Sequence, residues 1–389
     1  MRTEFEFYSP VKVVTGIGKS HDMKRWAEEF HAKKMLVITG RHVSKSEEFQ
    51  DFTAFMKKQG LTFEVYAETV PEPPIEAVDL LADYIRAEAF EMAIAVGGGS
   101  PMDTAKAVCM LKNNSGSIKE YLFGGKKVPL NPSMPLIYIP TTAGSGSEVT
   151  ASSVIEDTEN NVKLSCTHPF LFAKAAILDP LLQKDMPPKV TAGTGMDAMT
   201  HAIEAYTSKN ASAFSDIYAR RAIELIAQYL PLVMKNGEDL HARMMMAQAS
   251  TMAAIAFLNG GLGAVHGISQ SMGGIAHTPH GISNAVLLPA VMKYNYSGNV
   301  EKFAEIAGFL GCGTGNMHSE VAAREAVRQI IDLNCRIGIK EGISELGVTR
   351  DMFPHIAKET MKYRLLWMNP VEFTEEMVMH VLEESFESK

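Results

Sequence analysis

The sequence predicts two domains of different class, an N-terminal α/β domain with a largely parallel sheet and an all-helical domain after it. In the first half, short apolar runs alternate with amphipathic helical segments such as residues 78–87, which is the pattern of βαβ units. After Pro187 and Pro188 the alternation stops and long segments of helical periodicity follow. A chain of 389 residues is also longer than one hydrophobic core usually organises. We therefore expect one domain over residues 1–185 and a second over residues 186–389.

The predicted strands are five short apolar runs, each of a length typical of a buried strand. They are residues 34–39, 63–66, 92–96, 135–139 and 175–178. The helical periodicity of the second half predicts helices over residues 213–234, 239–257, 300–310 and 320–337.

A glycine-rich turn, Gly97-Gly98-Gly99, follows the third predicted strand and precedes a predicted helix. Glycines let the backbone approach a phosphate closely, and the N-terminus of the following helix offers free N–H groups and a positive dipole end. We expect Ser100 to be the N-cap and Asp103 to reach back in a capping box. The turn predicts a pyrophosphate site, although a tight connection between strand and helix would show the same pattern.

A second loop, after the fourth predicted strand, carries several hydroxyl groups with glycines between them. Its candidate residues are Thr141, Thr142, Ser145 and Ser147. Two such loops at the carboxyl ends of strands surround a polyanionic ligand better than one loop does. The pair of loops therefore predicts a dinucleotide site, with a solvated surface loop as the alternative.

Four potential metal ligands follow in the helical half: Asp197, His201, His266 and His280. Asp197 and His201 are four residues apart, so on a helix they lie on one face and can bind the same ion. Any one of these histidines could be a buried side chain bonded to backbone carbonyls. The set together predicts a site for one divalent cation. Since the nucleotide loops fall in the first half, we expect the reaction to occur in a cleft between the two domains.

Charge and composition exclude several classes of partner. A net charge of -8 argues against nucleic acid or an anionic membrane surface, because both need a basic face. No apolar run reaches the roughly 18 residues of a membrane span, and the first residues lack the apolar core of a signal peptide. Four widely spaced cysteines fit free thiols in a reducing compartment. We expect a cytoplasmic protein.

These motifs together resemble those of the iron-containing (group III) alcohol dehydrogenases, in the dehydroquinate synthase-like superfamily. The elements G-G-G-S-x-x-D-x-A-K, P-T-T-x-G-[ST]-G-S-E-V-T, D-A-x-x-H-x-x-E-A-Y and P-H-G-x-x-N-A occur in the order of that family, within a similarity from Tyr8 to Pro370. The resemblance implies a Rossmann-like domain followed by a helical domain with the four residues above as metal ligands. It also implies that the dinucleotide is contacted by residues 97–100, Thr141, Thr142, Ser145 and Lys163.

Three positions depart from the family pattern. Many members have a third histidine near the nicotinamide where this chain has Gln270, so we assign proton exchange to His277 instead, with a supporting role beside the metal as the alternative. Gly40 and Arg41 stand where relatives that prefer NAD place an aspartate. A carboxylate there would repel a 2′-phosphate, so we expect NADP to be favoured over NAD, unless both are accepted. Glu72 stands where relatives often carry an asparagine.

We therefore expect a metal-dependent, NAD(P)-linked dehydrogenase or reductase acting on small primary alcohols or aldehydes, as a homo-oligomer. The metal and its ligands, His266 and His280 among them, would bind the substrate oxygen, and the nicotinamide would accept the hydride. Nitrogen and oxygen ligands suit several divalent ions, and only the resemblance favours iron over zinc. The alternatives are a zinc-dependent polyol dehydrogenase of the glycerol type, a dehydroquinate synthase-like lyase, and a non-enzymatic sensor.

Overall fold

The computed structural model describes residues 3–160 and 162–388, and in it a six-stranded parallel sheet organises the first half of the chain. The sheet strands in chain order are β1 (Lys12–Thr15), β2 (Lys34–Gly40), β3 (Thr62–Thr69), β4 (Met92–Gly97), β5 (Leu136–Pro140) and β8 (Ala175–Leu178). Their spatial order is β1-β8-β5-β4-β2-β3, and every neighbouring pair is parallel. The five predicted strands and the predicted fold class are confirmed.

The two central strands of the sheet set the position of the nucleotide loops. Strands β4 and β5 are buried along their whole length, as expected for a parallel sheet that is covered on both faces. In their register Gly97 is paired with Pro140, the last residue of each strand. The glycine-rich turn and the hydroxyl-rich loop therefore start side by side at the carboxyl edge of the sheet.

Three strands were not predicted. Strand β1 is a short edge strand with no buried residue, so it lacks the apolar run that marks the central strands. Strands β6 (Ser152–Asp157) and β7 (Val162–Thr167) form a separate antiparallel pair. Their buried and exposed positions are mixed and many of their residues are polar, so no buried-strand pattern was visible.

The helices of the α/β part lie between the strands. They are α1 (Met23–Glu29), α2 (Glu47–Lys58), α3 (Ile75–Ala87) and α4 (Gly99–Asn113). Helix α2 shows why the local sequence is helical: the Ser46 hydroxyl accepts from the N–H of Phe49, acidic residues occupy the first turn and lysines the last.

The second half is helical, as predicted. Its helices are α5 (Pro188–Thr207), α6 (Ala213–Lys235), α7 (Leu240–Gly260), α8 (Ala264–Ala276), α9 (His280–Asn295), α10 (Val300–Phe309), α11 (Ser319–Arg336), α12 (Phe353–Thr360) and α13 (Glu375–Glu384). Helix α5 packs against α6, α7 and α9, and it is buried on all sides from residue 195 to residue 207. A helix surrounded in this way can place polar side chains where water is excluded.

The Cα positions group into two compact units. One unit comprises Ser9–Thr142 and Gly146–Met186. The other comprises Pro187–Lys389, Ala143–Ser145 and the N-terminal residues as far as Tyr8. The assignment of residues 1–185 to dinucleotide binding and of residues 186–389 to metal binding stays a prediction.

Among the described residues, no single helix combines the length and apolar character needed to cross a membrane. Helices α7 and α8 pass that test of length and composition only as a pair, with a bend of 102° between them.

Candidate functional site

Atoms that could bind a metal ion converge at one point in the helical unit. The Oδ1 atom of Asp197 lies 3.8 Å from His201 Nε2, 3.7 Å from His266 Nε2 and 3.5 Å from His280 Nε2. Ligand atoms that share one ion at about 2.1 Å from each are about 3 to 4 Å apart. The structure thus brings together all four predicted residues, and one ligand atom from each of Asp197, His201 and His266 lies within 4.8 Å of the other two, a spacing that suits a single ion. Their role as ligands stays a prediction.

Three helices supply these side chains. Helix α5 carries Asp197 and His201 one turn apart, the first turn of α8 carries His266, and α9 begins at His280. Three of the four residues are buried, whereas the His280 side chain is 45% exposed. The centre is therefore open to solvent on the side of His280.

Asn284 lies among the four side chains and was not predicted. Its Nδ2 group donates to Asp197 Oδ1 at 2.8 Å and lies 3.2 Å from the Nε2 atoms of both His266 and His280. An amide nitrogen has two hydrogens, so it can donate to at most two of these three atoms. The Oδ1 atom of Asn284 and the Nδ1 atom of His201 are buried with no partner among the described residues. A cation at this point would satisfy the convergent lone pairs that the amide leaves unmatched.

The electrostatics of the centre also favour a cation. Burial would raise the pKa of Asp197, but the neighbouring imidazoles of His201, His266 and His280 hold it well below its usual range. Burial lowers the pKa of His201 to about 4, in spite of the Asp197 charge. An ionised carboxylate and a neutral imidazole are the forms that bind a metal ion.

Glu204 fixes the orientation of His266 and was also not predicted. Its Oε2 atom accepts from His266 Nδ1 at 2.6 Å and from the N–H of Gly263 at 3.0 Å, and its Oε1 atom accepts from the N–H of Val265 at 2.7 Å. Burial opposes the charged form of His266, but Glu204 and Asp197 raise its pKa to about 9. With a proton held on Nδ1 by the carboxylate, Nε2 faces the other ligands. The sequence signal that could have identified Glu204 is an acidic residue three positions after His201 in a buried helix.

Helix α8 begins without a cap from its own segment. Glu204 accepts from two of its first N–H groups, and the Oδ1 atom of Asn369 accepts from the N–H of Ala264 at 3.1 Å. A Cβ at Gly263 would lie 2.6 Å from that Asn369 oxygen. Glycine at this position lets two distant side chains cap the helix that carries His266.

Two further side chains hold the imidazoles of the centre in place. The Ser269 hydroxyl lies 3.1 Å from His280 Nδ1, while Nε2 of the same ring faces Asp197. The Phe257 ring lies 4.6 Å from the ring of His201 and forms an apolar wall beside it. His277 is exposed after α8, where its left-handed backbone (φ 51°) ends the helix and turns the chain toward His280. Its assignment to proton exchange stays a prediction.

The start of helix α4 differs from the prediction. Its N-cap is Gly98, and no side chain caps the helix. Ser100 lies in the first turn, and its hydroxyl accepts from the N–H of Glu72 at 3.4 Å. Asp103 does not reach back, because its carboxylate accepts from the Ser147 hydroxyl at 3.1 Å and the N–H of Val154 at 3.3 Å. The expected capping box is wrong, and the first N–H groups of α4 are left for an anion.

The glycine-rich turn and the hydroxyl-rich loop are in close contact. A Cβ at Gly97 would lie 2.6 Å from Pro101 Cγ, and one at Gly98 would lie 3.2 Å from Thr142 Oγ1. The N–H of Thr141 donates to the Gly97 carbonyl at 2.9 Å. Glycine is therefore required for this packing.

A buried lysine ties the hydroxyl-rich loop to α4. The Lys106 ammonium donates to Ser147 Oγ at 2.7 Å, Thr150 Oγ1 at 3.1 Å and the Ser152 carbonyl at 2.8 Å. Burial lowers its pKa to about 8 against the opposing charge of Asp103. Ser147, a predicted cofactor-binding residue, is thus hydrogen-bonded to both Lys106 and Asp103.

The two cationic cofactor candidates, Arg41 and Lys163, are paired with acids. Gly40 ends strand β2, and the guanidinium of Arg41 just after it donates from Nε to Glu68 at 2.7 Å. Lys163, on β7, forms an ion pair with Glu72. Neither glutamate was predicted as a partner, because both are more than twenty residues away from the cation in the chain.

The comparisons with known proteins agree over nearly the whole chain. Residues 10–180 match the iron-containing alcohol dehydrogenase family, and residues 191–386 match the Fe-containing alcohol dehydrogenase family, C-terminal part. A choline dehydrogenase of Bacillus subtilis (strain 168) is 38% identical over 95% of this chain and 92% of its own length. An NAD-dependent methanol dehydrogenase of Bacillus methanolicus is 35% identical over 94% of this chain and 95% of its own. A solved 1,3-propanediol oxidoreductase superposes with a TM-score of 0.94 at 33% identity, covering 98% of this chain and 100% of that one.

Replacing Glu204 should weaken metal binding. In Glu204→Ala the His266 ring loses the acceptor on Nδ1, and we expect the affinity for a divalent ion to fall about 10- to 100-fold. Glu204→Gln keeps an acceptor oxygen, so its affinity for the ion should lie between those of the wild type and Glu204→Ala. Competition with a chromogenic chelator measures the affinity. Glu224→Ala on α6, which removes an acid paired with two exposed arginines, serves as the control. An unchanged affinity in Glu204→Ala would refute the role of this carboxylate.

Replacing Gly97 should disturb the nucleotide turn. The new Cβ of Gly97→Ala would meet the Pro101 ring at 2.6 Å, so the start of α4 has to move. We expect a loss of about 1 to 3 kcal/mol in the free energy of unfolding and weaker NADH binding by fluorescence titration. Gly313→Ala, where a Cβ meets no atom within 4 Å, is the matched control. Wild-type NADH affinity in Gly97→Ala would show that the turn is not part of the site.

Proposed function

The chain belongs to the iron-containing alcohol dehydrogenase family, and we propose that it interconverts small primary alcohols and aldehydes with a nicotinamide dinucleotide and one divalent metal ion. The observation that carries this proposal is the convergence of Asp197 and three imidazoles on one buried point. The Asn284 amide alone does not satisfy the acceptors that meet there.

We propose Asp197, His201, His266 and His280 as the metal ligands, with Fe²⁺ favoured by the family and Zn²⁺ compatible with the same atoms. When bound, the metal supplies Lewis-acid chemistry to the substrate oxygen, and the nicotinamide accepts or delivers the hydride. Asp197 provides the compensating negative charge. Glu204 and Ser269 hold the rings of His266 and His280, and Phe257 shields the centre from water beside His201.

The dinucleotide is proposed to bind at the carboxyl edge of the sheet. The N–H groups at the start of α4 have no side-chain cap, so they can receive the pyrophosphate. Residues Gly97, Gly98, Gly99 and Ser100 would form the turn around it, and hydroxyls of Thr141, Thr142 and Ser145 would complete the contacts. Asp103 and Ser147 act indirectly, because they bond to each other and hold the loop against α4.

His277 is the proposed group for exchanging the alcohol proton with solvent. It is exposed and lies three residues before His280, at the open side of the centre. Small alcohols or aldehydes are the proposed substrates, because the ring of Phe257 makes one wall of the centre apolar. A cytoplasmic location and a homo-oligomeric assembly complete the proposal.

Removal of the metal should abolish turnover. Protein stripped with a chelator is expected to oxidise NADPH in the presence of butanal at least about 100-fold more slowly, since the ion contributes several kcal/mol to transition-state stabilisation. Anaerobic addition of Fe²⁺, or addition of Zn²⁺, should restore the rate. Stripped protein that reduces butanal at full speed would refute the proposal, and metal-loaded protein with no net NADPH oxidation would favour a lyase or a sensor.

We propose that NADP is preferred over NAD. Gly40 has no carboxylate that would repel a 2′-phosphate, and the cationic residues Arg41 and Lys45 follow it in the chain. To bind the phosphate, Arg41 has to break its ion pair with Glu68.

Gly40→Asp should reverse this preference. We expect kcat/KM for NADPH to fall at least about tenfold with a much smaller change for NADH, because a like charge is brought to the 2′-phosphate. Gly40→Ala is the control, since its Cβ would lie at an ordinary 3.5 Å from Thr69 Oγ1. Equal or higher wild-type kcat/KM with NADH would refute the preference.

A further inference from the structure

The segment between β3 and α3 is fastened over the start of α4 and against the β6–β7 pair. The N–H of Glu72 donates to the hydroxyl of Ser100, and the carbonyl of Pro73 accepts from the N–H of Glu156 at 2.9 Å. Pro74 also forms an isolated parallel bridge with Glu156. These attachments hold Glu72 beside the first turn of α4, which is the proposed pyrophosphate site.

Glu72 is held there in an unfavourable backbone conformation. It has φ 53°, in the left-handed region that residues with a Cβ seldom adopt. The conformation directs its carboxylate to the ammonium of Lys163 on β7, with which it forms an ion pair. The two side chains are 46% and 30% exposed, so a ligand arriving from solvent can reach both. The ion pair thus engages the Lys163 ammonium next to the N-terminus of α4. That N-terminus has no side-chain cap.

We propose that Glu72 sets the affinity for the dinucleotide by holding Lys163 in the ligand-free enzyme. The anionic dinucleotide and Glu72 compete for the same ammonium, so binding breaks the pair and release restores it. The competition weakens binding and speeds release of the cofactor. This inference rests on the proposed function, because it takes the ligand to be a nicotinamide dinucleotide.

The size of the effect follows from the exposure of the pair. An exposed ion pair contributes little to stability, and losing it on ligand binding corresponds to about a two- to fivefold change in a dissociation constant. Glu72→Gln removes the charge and keeps the N–H that bonds to Ser100. We therefore expect this variant to bind NADPH about two- to fivefold more tightly, with most of the change in the dissociation rate.

A double-mutant cycle with Lys163→Met tests whether Glu72 acts through Lys163. Fluorescence titration with NADPH gives the dissociation constants, and stopped-flow displacement gives the release rates. Lys163→Met should bind more weakly than wild type, and adding Glu72→Gln to it should change nothing further. Glu76→Gln, which removes an exposed acid four residues further along at the start of α3, should leave the affinity unchanged.

The double-mutant cycle separates an effect of Glu72 through Lys163 from a direct repulsion of the dinucleotide by Glu72. Tighter binding in Glu72→Gln that persists in the Lys163→Met background would overturn the inference, since Glu72 would then act by direct repulsion of the dinucleotide. Unchanged binding in Glu72→Gln would overturn it as well. Wild-type protein that binds neither NADPH nor NADH would instead refute the proposed function, and the titration separates that outcome because it needs no turnover.

Discussion

The buried carboxylate of Asp197 is the constraint on which the helical unit depends. An ionised group inside a protein is costly unless it is paired, and here its neighbours are imidazoles, of which His201 has a pKa of about 4. The His266 imidazole, whose pKa is raised to about 9, carries one positive charge, but it lies against two carboxylates, Asp197 and Glu204, so one negative charge is left uncompensated. The centre therefore suits a cation from outside the chain, and the middle of α5 and the first turns of α8 and α9 surround it.

The N-termini of α8 and α4 both have N–H groups without partners inside the helix, and they differ in whether side chains bond to these groups. The start of α8 is capped from elsewhere in the chain by Glu204 and Asn369, and the same Glu204 carboxylate orients His266. This helix end is closed, and the cap holds the His266 ring in a fixed orientation. The start of α4 has no side-chain cap and is preceded by glycines, so it is open to an anion. The first arrangement fixes a side chain, and the second leaves N–H groups without a side-chain cap.

The parts of the molecule that the sequence predicted are those with a local signature. Buried strands such as β4 appear as apolar runs, and Asp197 and His201 appear as a pair because a helix repeats every 3.6 residues. Contacts between distant residues have no such signature: Lys106 meets Ser147 across 41 positions, and Asn284 meets Asp197 across 87. Ser100 was misassigned because serine favours N-caps, while the glycines before it allow the helix to begin earlier.

Burial distinguishes two kinds of cation around the nucleotide loops. Lys106 is fully buried and donates to three oxygens, so no ligand can reach it, and it holds the loop permanently. Arg41 and Lys163 are partly exposed, and each is paired with one glutamate. Their charges are available to an anion only by exchange, so the affinity of an anion at these positions is a difference between two ion pairs. A difference of this kind is small, which suits an enzyme that has to release its cofactor in every cycle.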